Sequence, residues 1–110
     1  MIMISPCMLD YCYENDNLPN VGDDLCIPDI TQNELSIDAV RWARKRDIQF
    51  IEITDSAIVC ALMIHNSVIS FNEAIFIAVA IENNYECVVY ADLMINMCKQ
   101  HNINLKGVMI

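Results

Sequence analysis

Glycine is scarce in this sequence. Only two of the 110 residues are glycine and three are proline. Connections that need glycine for unusual backbone angles are therefore few, and we expect short loops between regular elements. Apolar residues make up 55% of the chain, which is enough for one sizeable core. The length favours a single domain over residues 1–110.

Long apolar runs are also missing. The longest run, from Ala74 to Ile81, is far shorter than the roughly 20 residues that a bilayer-spanning helix needs. The N-terminal segment MIMISPCMLD has no basic residue before its first acid, unlike a secretion signal. We therefore expect no membrane partner and a cytoplasmic location.

Paired cysteine motifs are absent, although the chain has six cysteines. None belongs to a CxxC pair and most have apolar neighbours, which is typical of free thiols buried as small hydrophobic side chains. Neither histidine lies near a cysteine pair, so we expect no zinc site. Free thiols agree with a reducing compartment.

Basic residues are few, six against 15 acidic ones, which gives a net charge of −9. This charge argues against a surface that coats nucleic acid. Four of the six lie together in RWARKR, as Arg41, Arg44, Lys45 and Arg46. They are either cations at a helix C-terminus or a patch that contacts RNA phosphates. Trp42 among them either packs in the core or offers a stacking face.

Strand-like and helix-like segments, in contrast, alternate along nearly the whole chain. The predicted strands are 2–5, 24–28, 47–53, 85–90 and 103–110. The predicted helices are 7–16, 29–46, 54–66, 70–84 and 91–102. This alternation predicts a three-layer α/β/α fold with a central, mostly parallel sheet. The apolar character of the first strand places it near the sheet centre.

Three acids fall where open α/β sheets bind ligands. Glu34 and Glu73 stand three residues after Thr31 and Ser70, a capping pattern that places them in first helical turns. Asp92 directly follows the fourth predicted strand. Helix starts and strand ends meet at the carboxyl edge of such a sheet. Each acid also has a simpler interpretation as a helix cap.

Several carboxylates at one edge repel one another unless a cation neutralises them. Oxygen ligands of this kind suit Mg²⁺ or Mn²⁺. Such ions promote phosphodiester hydrolysis by activating water and neutralising phosphate charge. The acids therefore predict a divalent metal site.

The segment ISFNEAIFIAVAIENNYECVVYAD, followed by CKQHNINLKGV, resembles the second half of a PIN domain. CIPDITQNEL and ISPCML resemble earlier segments of that family, so the likeness covers almost the whole chain. It implies a small three-layer α/β nuclease that uses Mg²⁺ or Mn²⁺ to cut single-stranded RNA. Many such proteins are toxins of toxin–antitoxin pairs. The resemblance implies that Glu34, Glu73 and Asp92 bind the metal.

The resemblance departs from the family pattern at the end of the first strand. The family has an aspartate there, whereas this sequence has Ser5, or Pro6 if the register slips. Asp10, one helical turn further on, is a substitute ligand. Ser5 would then hydrogen-bond a metal-bound water or the RNA phosphate, and the RWARKR cations would contact the RNA backbone.

Two functions stay open from the sequence. The first is a metal-dependent endoribonuclease whose catalytic acids are Asp10, Glu34, Glu73 and Asp92. The second is a degenerate PIN-like module that binds a protein partner, such as an antitoxin-like protein with a basic segment, without cutting RNA. A homodimer is compatible with both. A receiver domain is a weaker alternative, because no acid pair follows the first strand.

Overall fold

The computed structural model describes residues 1–109 and confirms the predicted order of elements over that range. Its five strands are β1 (Ile2–Ile4), β2 (Leu25–Pro28), β3 (Gln49–Ile51), β4 (Glu86–Tyr90) and β5 (Leu105–Met109). Its five α-helices are α1 (Pro6–Glu14), α2 (Ile37–Lys45), α3 (Asp55–Ile64), α4 (Phe71–Asn83) and α5 (Asp92–Gln100). Ile110, the end of the last predicted strand, lies outside the described residues.

The strands form one all-parallel sheet in the order β3-β2-β1-β4-β5. Met3 in β1 pairs with Cys26 of β2 on one side and with Cys87 of β4 on the other. Every residue of β1 is buried, as expected for a central strand of a parallel sheet covered on both faces. The prediction that the first strand lies near the sheet centre is confirmed.

Helices cover both faces of this sheet, so the predicted three layers are present. Because side chains alternate along a strand, Ile2 and Ile4 point to the face covered by α1 and α2, where they join Leu9 and Trp42 in one core cluster. Met3 points to the opposite face and joins a second cluster built from α3, α4 and α5. Phe76 of α4 is the largest fully buried side chain there.

The capping pattern predicted for α4 is confirmed. The Glu73 amide donates to Ser70 Oγ at 3.1 Å. The Ser70 amide donates to Glu73 Oε1 at 2.9 Å. This reciprocal pair satisfies two of the free amides at the start of the helix. Because Ser70 precedes α4, the capping box also fixes where the Glu73 carboxylate lies.

The single helix predicted over 29–46 is wrong in its first half. A 3₁₀ helix occupies Asp29–Glu34, Leu35 is extended (φ −101°, ψ 148°), and α2 begins only after Ser36. Ser36 Oγ accepts a hydrogen bond from the Ala39 amide at 3.0 Å and is the actual N-cap.

The capping role predicted for Thr31 is wrong for a physical reason. Thr31 is fully buried, so its hydroxyl must find a hydrogen-bond partner nearby. It donates to the Pro28 carbonyl oxygen at 2.6 Å and does not cap the Glu34 amide. Glu34 therefore ends a 3₁₀ helix, and does not stand in the first turn of an α-helix.

The cysteines are free, as predicted. All six lie within the described residues and none is in a disulfide. Cys12, Cys26, Cys87 and Cys98 are buried, in agreement with their role as small core side chains. Cys60 is half-buried, and Cys7 has a large accessible surface although its thiol is partly buried.

Candidate functional site

A cavity of about 270 Å³ lies at the carboxyl edge of the sheet, beyond the end of β1. The central strand delivers Ser5 to its wall, the 3₁₀ helix delivers Glu34, and the start of α4 delivers Glu73. Cys7 and Met94 complete much of the remaining wall. This is the edge at which open α/β sheets bind ligands. Two of the acids selected from the sequence therefore share one cavity.

A second cavity of about 230 Å³ adjoins the first, and Cys7 contributes to both. Asp10 and Tyr11 of α1 line it together with Tyr90 at the end of β4. The rings of Tyr11 and Tyr90 lie 5.4 Å apart between centroids. The substitute ligand Asp10 is thus next to the first cavity, and is not part of its wall.

The Glu34 carboxylate is electrostatically strained. Burial raises its pKa first, and the negative charges of Glu73 and Asp10 raise it further, while a hydrogen bond from Asn72 acts the other way. Glu34 has considerable accessible surface overall, so the burial effect reflects the part of the carboxyl in the cavity wall. Burial is therefore the main cause of the shift in the Glu34 pKa, and the like charges of Glu73 and Asp10 add to it.

Burial and nearby carboxylates also shift the pKa values of Cys7 and Asp10. The Cys7 thiol has a raised pKa because of burial and the carboxylates of Glu34, Glu73 and Asp10. Asp10 has a raised pKa because of burial and the neighbouring Glu14. The raised pKa keeps Cys7 a thiol at neutral pH, so it is a poor nucleophile.

Ser5 directly follows the central strand, at the carboxyl edge of the sheet. It is almost fully buried and is the N-cap of α1, with Pro6 following at the first helical position. Its Oγ accepts a hydrogen bond from the Met8 amide at 3.3 Å. A serine cap adds no charge, so the centre of the edge carries less negative charge than the family pattern implies.

Asp92 lies at the same edge but apart from the two cavities. It is exposed and begins α5. Among residues 1–109, the side chains that line the two cavities do not include it. Ala91 before it has φ 79° and ψ 150°, a conformation that costs a non-glycine residue on the order of 1–3 kcal/mol. The chain is therefore strained at the turn that directs Asp92.

Two carboxylates, those of Glu34 and Glu73, line the first cavity. Within residues 1–109, no group of three or more His, Cys, Asp or Glu side chains is close enough to hold a metal ion together. Mg²⁺ nevertheless keeps several waters and commonly uses one or two carboxylates with substrate phosphates. Glu34 and Glu73 in one cavity satisfy that requirement.

The basic cluster lies at the end of α2, outside the walls of the two cavities. α2 follows β2 and returns antiparallel to the strands, so its last turn, with Arg44 and Lys45, is at the amino edge. A nine-residue helix separates its ends by about 13 Å. Arg44 stacks over the Phe50 ring at 4.4 Å, and Arg46 pairs with Asp16 at 2.6 Å.

Trp42 packs in the core. Only 9% of its surface is exposed, and its Nε1 donates to Asp16 Oδ1 at 2.8 Å. Arg46 covers its ring at 4.1 Å. Of the two interpretations from the sequence, core packing is confirmed, because a covered ring presents no free face to a nucleotide base.

Sequence reasoning missed Cys7 and Ser70 as parts of the site. Both line the first cavity. A signal for Cys7 exists in the SPC tripeptide: serine as N-cap and proline at the first helical position put the cysteine in the first turn of α1, three residues after the end of β1. Ser70 was recognised as a cap, and its position at the edge follows from that role.

We expect replacement of Glu34 by Gln to stabilise the protein more at pH 7 than at pH 4. The native protein holds the Glu34 proton to a higher pH than the unfolded chain does, because the folded pKa is raised from its ordinary value of 4.5. The free energy of unfolding therefore falls as the pH rises through that window. Urea unfolding of both proteins at the two pH values tests this. If the stability difference between Glu34→Gln and the wild type were the same at pH 4 and pH 7, the raised pKa of Glu34 would be contradicted.

Comparison of the chain with known protein families, with curated proteins and with solved structures gave no match. Among residues 1–109, none of the helices is both long enough and apolar enough to cross a membrane.

Proposed function

We propose that the carboxyl edge binds Mg²⁺ or Mn²⁺ and that the protein is a PIN-like, metal-dependent endoribonuclease. The observation that carries this proposal is the shared cavity of Glu34 and Glu73 beyond the central strand. Burial raises the pKa of Glu34 most, and repulsion by the carboxylates of Glu73 and Asp10 raises it further. A cation between the carboxylates of Glu34 and Glu73 would offset their repulsion. This electrostatic gain would favour cation binding.

The residues have distinct roles in this proposal. Glu34 and Glu73 would hold the ion, which would neutralise the scissile phosphate and lower the pKa of a bound water. Glu73 accepts the Ser70 amide through Oε1, which leaves Oε2 as the oxygen that would hold the ion. Asp10, in the adjoining cavity, would accept a hydrogen bond from a water of the hydration shell. Ser5 accepts through Oγ from Met8, which leaves its O–H to donate to a phosphate oxygen.

Single-stranded RNA is the substrate that the PIN resemblance implies. The net charge of −9 opposes a polyanion, and a bound divalent ion would reverse that locally. Arg41 and Lys45 of α2 would extend contact away from the edge. Arg44 and Arg46 already stack on Phe50 and Trp42, so they would contribute less.

A second candidate function is a PIN-like module that binds a protein partner without cutting RNA. Two observations favour it: Ser5 is a neutral, buried cap at the central position, and Asp92 lies outside the cavities. The remaining acids would then attract a basic peptide, such as an antitoxin tail.

We expect Glu73→Gln to weaken Mn²⁺ binding about tenfold or more without lowering the melting temperature appreciably. Gln also completes a capping box, so the fold keeps its α4 start, whereas the ion loses one of two charged ligands. Titration calorimetry with Mn²⁺, together with thermal unfolding, measures both effects.

Glu86→Gln is the matched control, because Glu86 begins β4 at the opposite edge and forms an ion pair with the exposed Lys106 at 3.9 Å. It should bind Mn²⁺ like the wild type. If the wild type and Glu73→Gln bound Mn²⁺ with equal affinity, Glu73 would be a helix cap and not a metal ligand. If the wild type binds no Mn²⁺ and leaves single-stranded RNA uncut, the partner-binding function replaces the ribonuclease.

A further inference from the structure

The second cavity of the carboxyl edge has an aromatic wall. Tyr11 of α1 and Tyr90, the last residue of β4, both line it. Their rings lie 5.4 Å apart between centroids and are tilted by 30°, which is within the range of stacked aromatic pairs. Both side chains are half-buried, so each keeps surface that a ligand can contact. A planar aromatic ligand would bind well against such a wall.

The volume of the second cavity limits the size of that ligand. The cavity encloses about 230 Å³, below the range of roughly 300–1,000 Å³ that is usual for sites that hold whole drug-sized molecules. A single nucleobase suits such a volume better than a complete nucleotide does. The sugar and phosphate of a bound nucleotide would therefore lie outside the second cavity.

The first cavity lies where that phosphate would be. Cys7 belongs to the walls of both cavities, so the two are direct neighbours. The first cavity contains Glu34 and Glu73, the residues proposed to bind the ion. A base in the second cavity would thus bring a neighbouring phosphate to the proposed metal site.

Glu14 supplies the hydrogen-bonding group that distinguishes one base from another. It lines the second cavity one helical turn after Asp10 and is exposed. Within the part of the chain that the structure describes, none of the three ion pairs involves Glu14. Asp10 would accept from a water of the ion, which leaves Glu14 as the carboxylate for a base. An ionised carboxylate only accepts hydrogen bonds.

Guanine is the base whose edge matches a carboxylate. Its Watson–Crick edge carries two adjacent donors, N1–H and the N2 amino group, which can donate to the two oxygens of one carboxylate. Adenine and cytosine have an amino group next to a ring nitrogen that accepts, and uracil has one N–H between two carbonyl oxygens. Because an acceptor is repelled by a carboxylate oxygen, these three bases would form at most one hydrogen bond with Glu14.

We propose that the second cavity binds a guanine base of single-stranded RNA, with Tyr11 and Tyr90 stacking on its ring and Glu14 accepting from N1–H and the N2 amino group. Unstacked bases of single strands are recognised in this way, by aromatic rings and through their Watson–Crick edges. This inference rests on the proposed ribonuclease function and adds a specificity to it: the phosphate that is cut lies next to a guanine.

Cleavage of four short RNA strands in Mn²⁺ measures the base preference. Each strand is a run of uridines with guanosine, adenosine, cytidine or a further uridine at its centre. The wild type should cut the guanosine strand about 5–150 times faster than the others, since one bidentate base contact discriminates by that factor. Glu14→Gln should lose this preference, because an amide presents one donor and one acceptor. Removing a charge changes the rates on all four strands alike, so the ratio between strands is the readout.

Two substitutions of Tyr90 test the aromatic wall. Tyr90→Ala should slow cleavage of the guanosine strand about 5–150-fold, because the base loses a stacking partner. Tyr90→Phe keeps a ring and should recover most of this loss. Thermal unfolding checks that each variant folds, and Tyr11→Ala replaces Tyr90→Ala if the latter does not. Glu86→Gln, at the opposite edge, is again the control and should keep the wild-type preference.

Guanosine and inosine test the base site without RNA and without metal. Both nucleosides are uncharged, and inosine lacks only the N2 amino group, so it should bind at least about fivefold more weakly than guanosine. In an NMR titration of the metal-free wild type, guanosine should shift the amide signals of Tyr11, Glu14 and Tyr90. Glu14→Gln should bind the two nucleosides with similar affinity.

The two measurements separate a failure of the base site from a failure of the ribonuclease. If the wild type cut all four strands at equal rates, or if Glu14→Gln kept the guanosine preference, the guanine site would be wrong and the ribonuclease would stand. If guanosine bound as expected but no RNA were cut, the base site would be supported and the ribonuclease would be wrong. If guanosine shifted none of the three amide signals, the guanine site would be overturned.

Discussion

Replacing Ser5 by Asp should raise the Mn²⁺ affinity at least about tenfold and destabilise the metal-free protein by roughly 1–3 kcal/mol. Ser5 is the almost fully buried N-cap at the end of the central strand. Asp caps a helix as well as Ser does, so the start of α1 should be retained. The new carboxylate would line the same cavity as Glu34 and Glu73.

The two effects have one cause. Without an ion, a buried carboxylate at position 5 is repelled by those of Glu34 and Glu73 and must either take a proton or strain the fold. With an ion, the same charge becomes a ligand, and an affinity gain of tenfold corresponds to about 1.4 kcal/mol. Saturating Mn²⁺ should therefore stabilise Ser5→Asp more than the wild type, because a ligand stabilises the state that binds it.

Ser36→Asp is the control for Ser5→Asp. Ser36 is also an N-cap serine, with Oγ 3.0 Å from the Ala39 amide, but it is exposed. The same chemical change there should leave both Mn²⁺ affinity and stability nearly unchanged. Calorimetry and urea unfolding with and without Mn²⁺ compare the three proteins. If Ser5→Asp gained no affinity over the wild type, the carboxyl edge would not be a cation site.

Phe76→Ala should cost about 3–5 kcal/mol of the free energy of unfolding. Phe76 is fully buried in the middle of α4, in the core cluster between the sheet and α3 and α5. Its removal loses apolar burial and leaves a cavity that the surrounding helices fill only in part. A domain of this size has a total stability on the order of 5–15 kcal/mol, so one substitution would remove a large share of it.

Ile37→Ala is the comparison for Phe76→Ala, because Ile37 is 71% exposed and its truncation should change stability by less than about 0.5 kcal/mol. Urea unfolding with an unchanged dependence on denaturant measures both variants. A cost for Phe76→Ala below ~1 kcal/mol would mean that the two layers are not packed on α4 as described. Mn²⁺ binding at the edge should persist in the folded fraction, since α4 still begins at its capping box.

The two proposed functions predict different results at the carboxyl edge. A ribonuclease needs Glu34 and Glu73 as charged ligands, so neutralising either should reduce both Mn²⁺ affinity and RNA cleavage. A partner-binding module needs only negative potential, so neutralising one acid should weaken binding of a basic peptide modestly. The Ser5→Asp variant adds a second distinction, because only a metal-dependent enzyme would gain cleavage activity from it.

The sequence determined the element order and the position of the acids along it. Alternating strand and helix signals predicted the parallel sheet with β1 at its centre, and the structure has that sheet. The Ser70 and Glu73 capping box was predicted from four consecutive residues, because both partners lie within one helical turn. A capping box depends only on residues that are close together in the chain. It can therefore be predicted from the sequence alone.

Tertiary structure alone decided the features that depend on burial and distance. Thr31 and Ser36 are both good N-caps by type, and only the burial of Thr31 beside Pro28 selected Ser36. Cys7 is another example. Its apolar neighbours in the sequence predicted a core residue, whereas the packing places it in the walls of two cavities. Asp92 follows β4 as predicted, yet the strained turn at Ala91 leaves it exposed. Such outcomes depend on contacts between residues distant in the chain, which a local pattern does not contain.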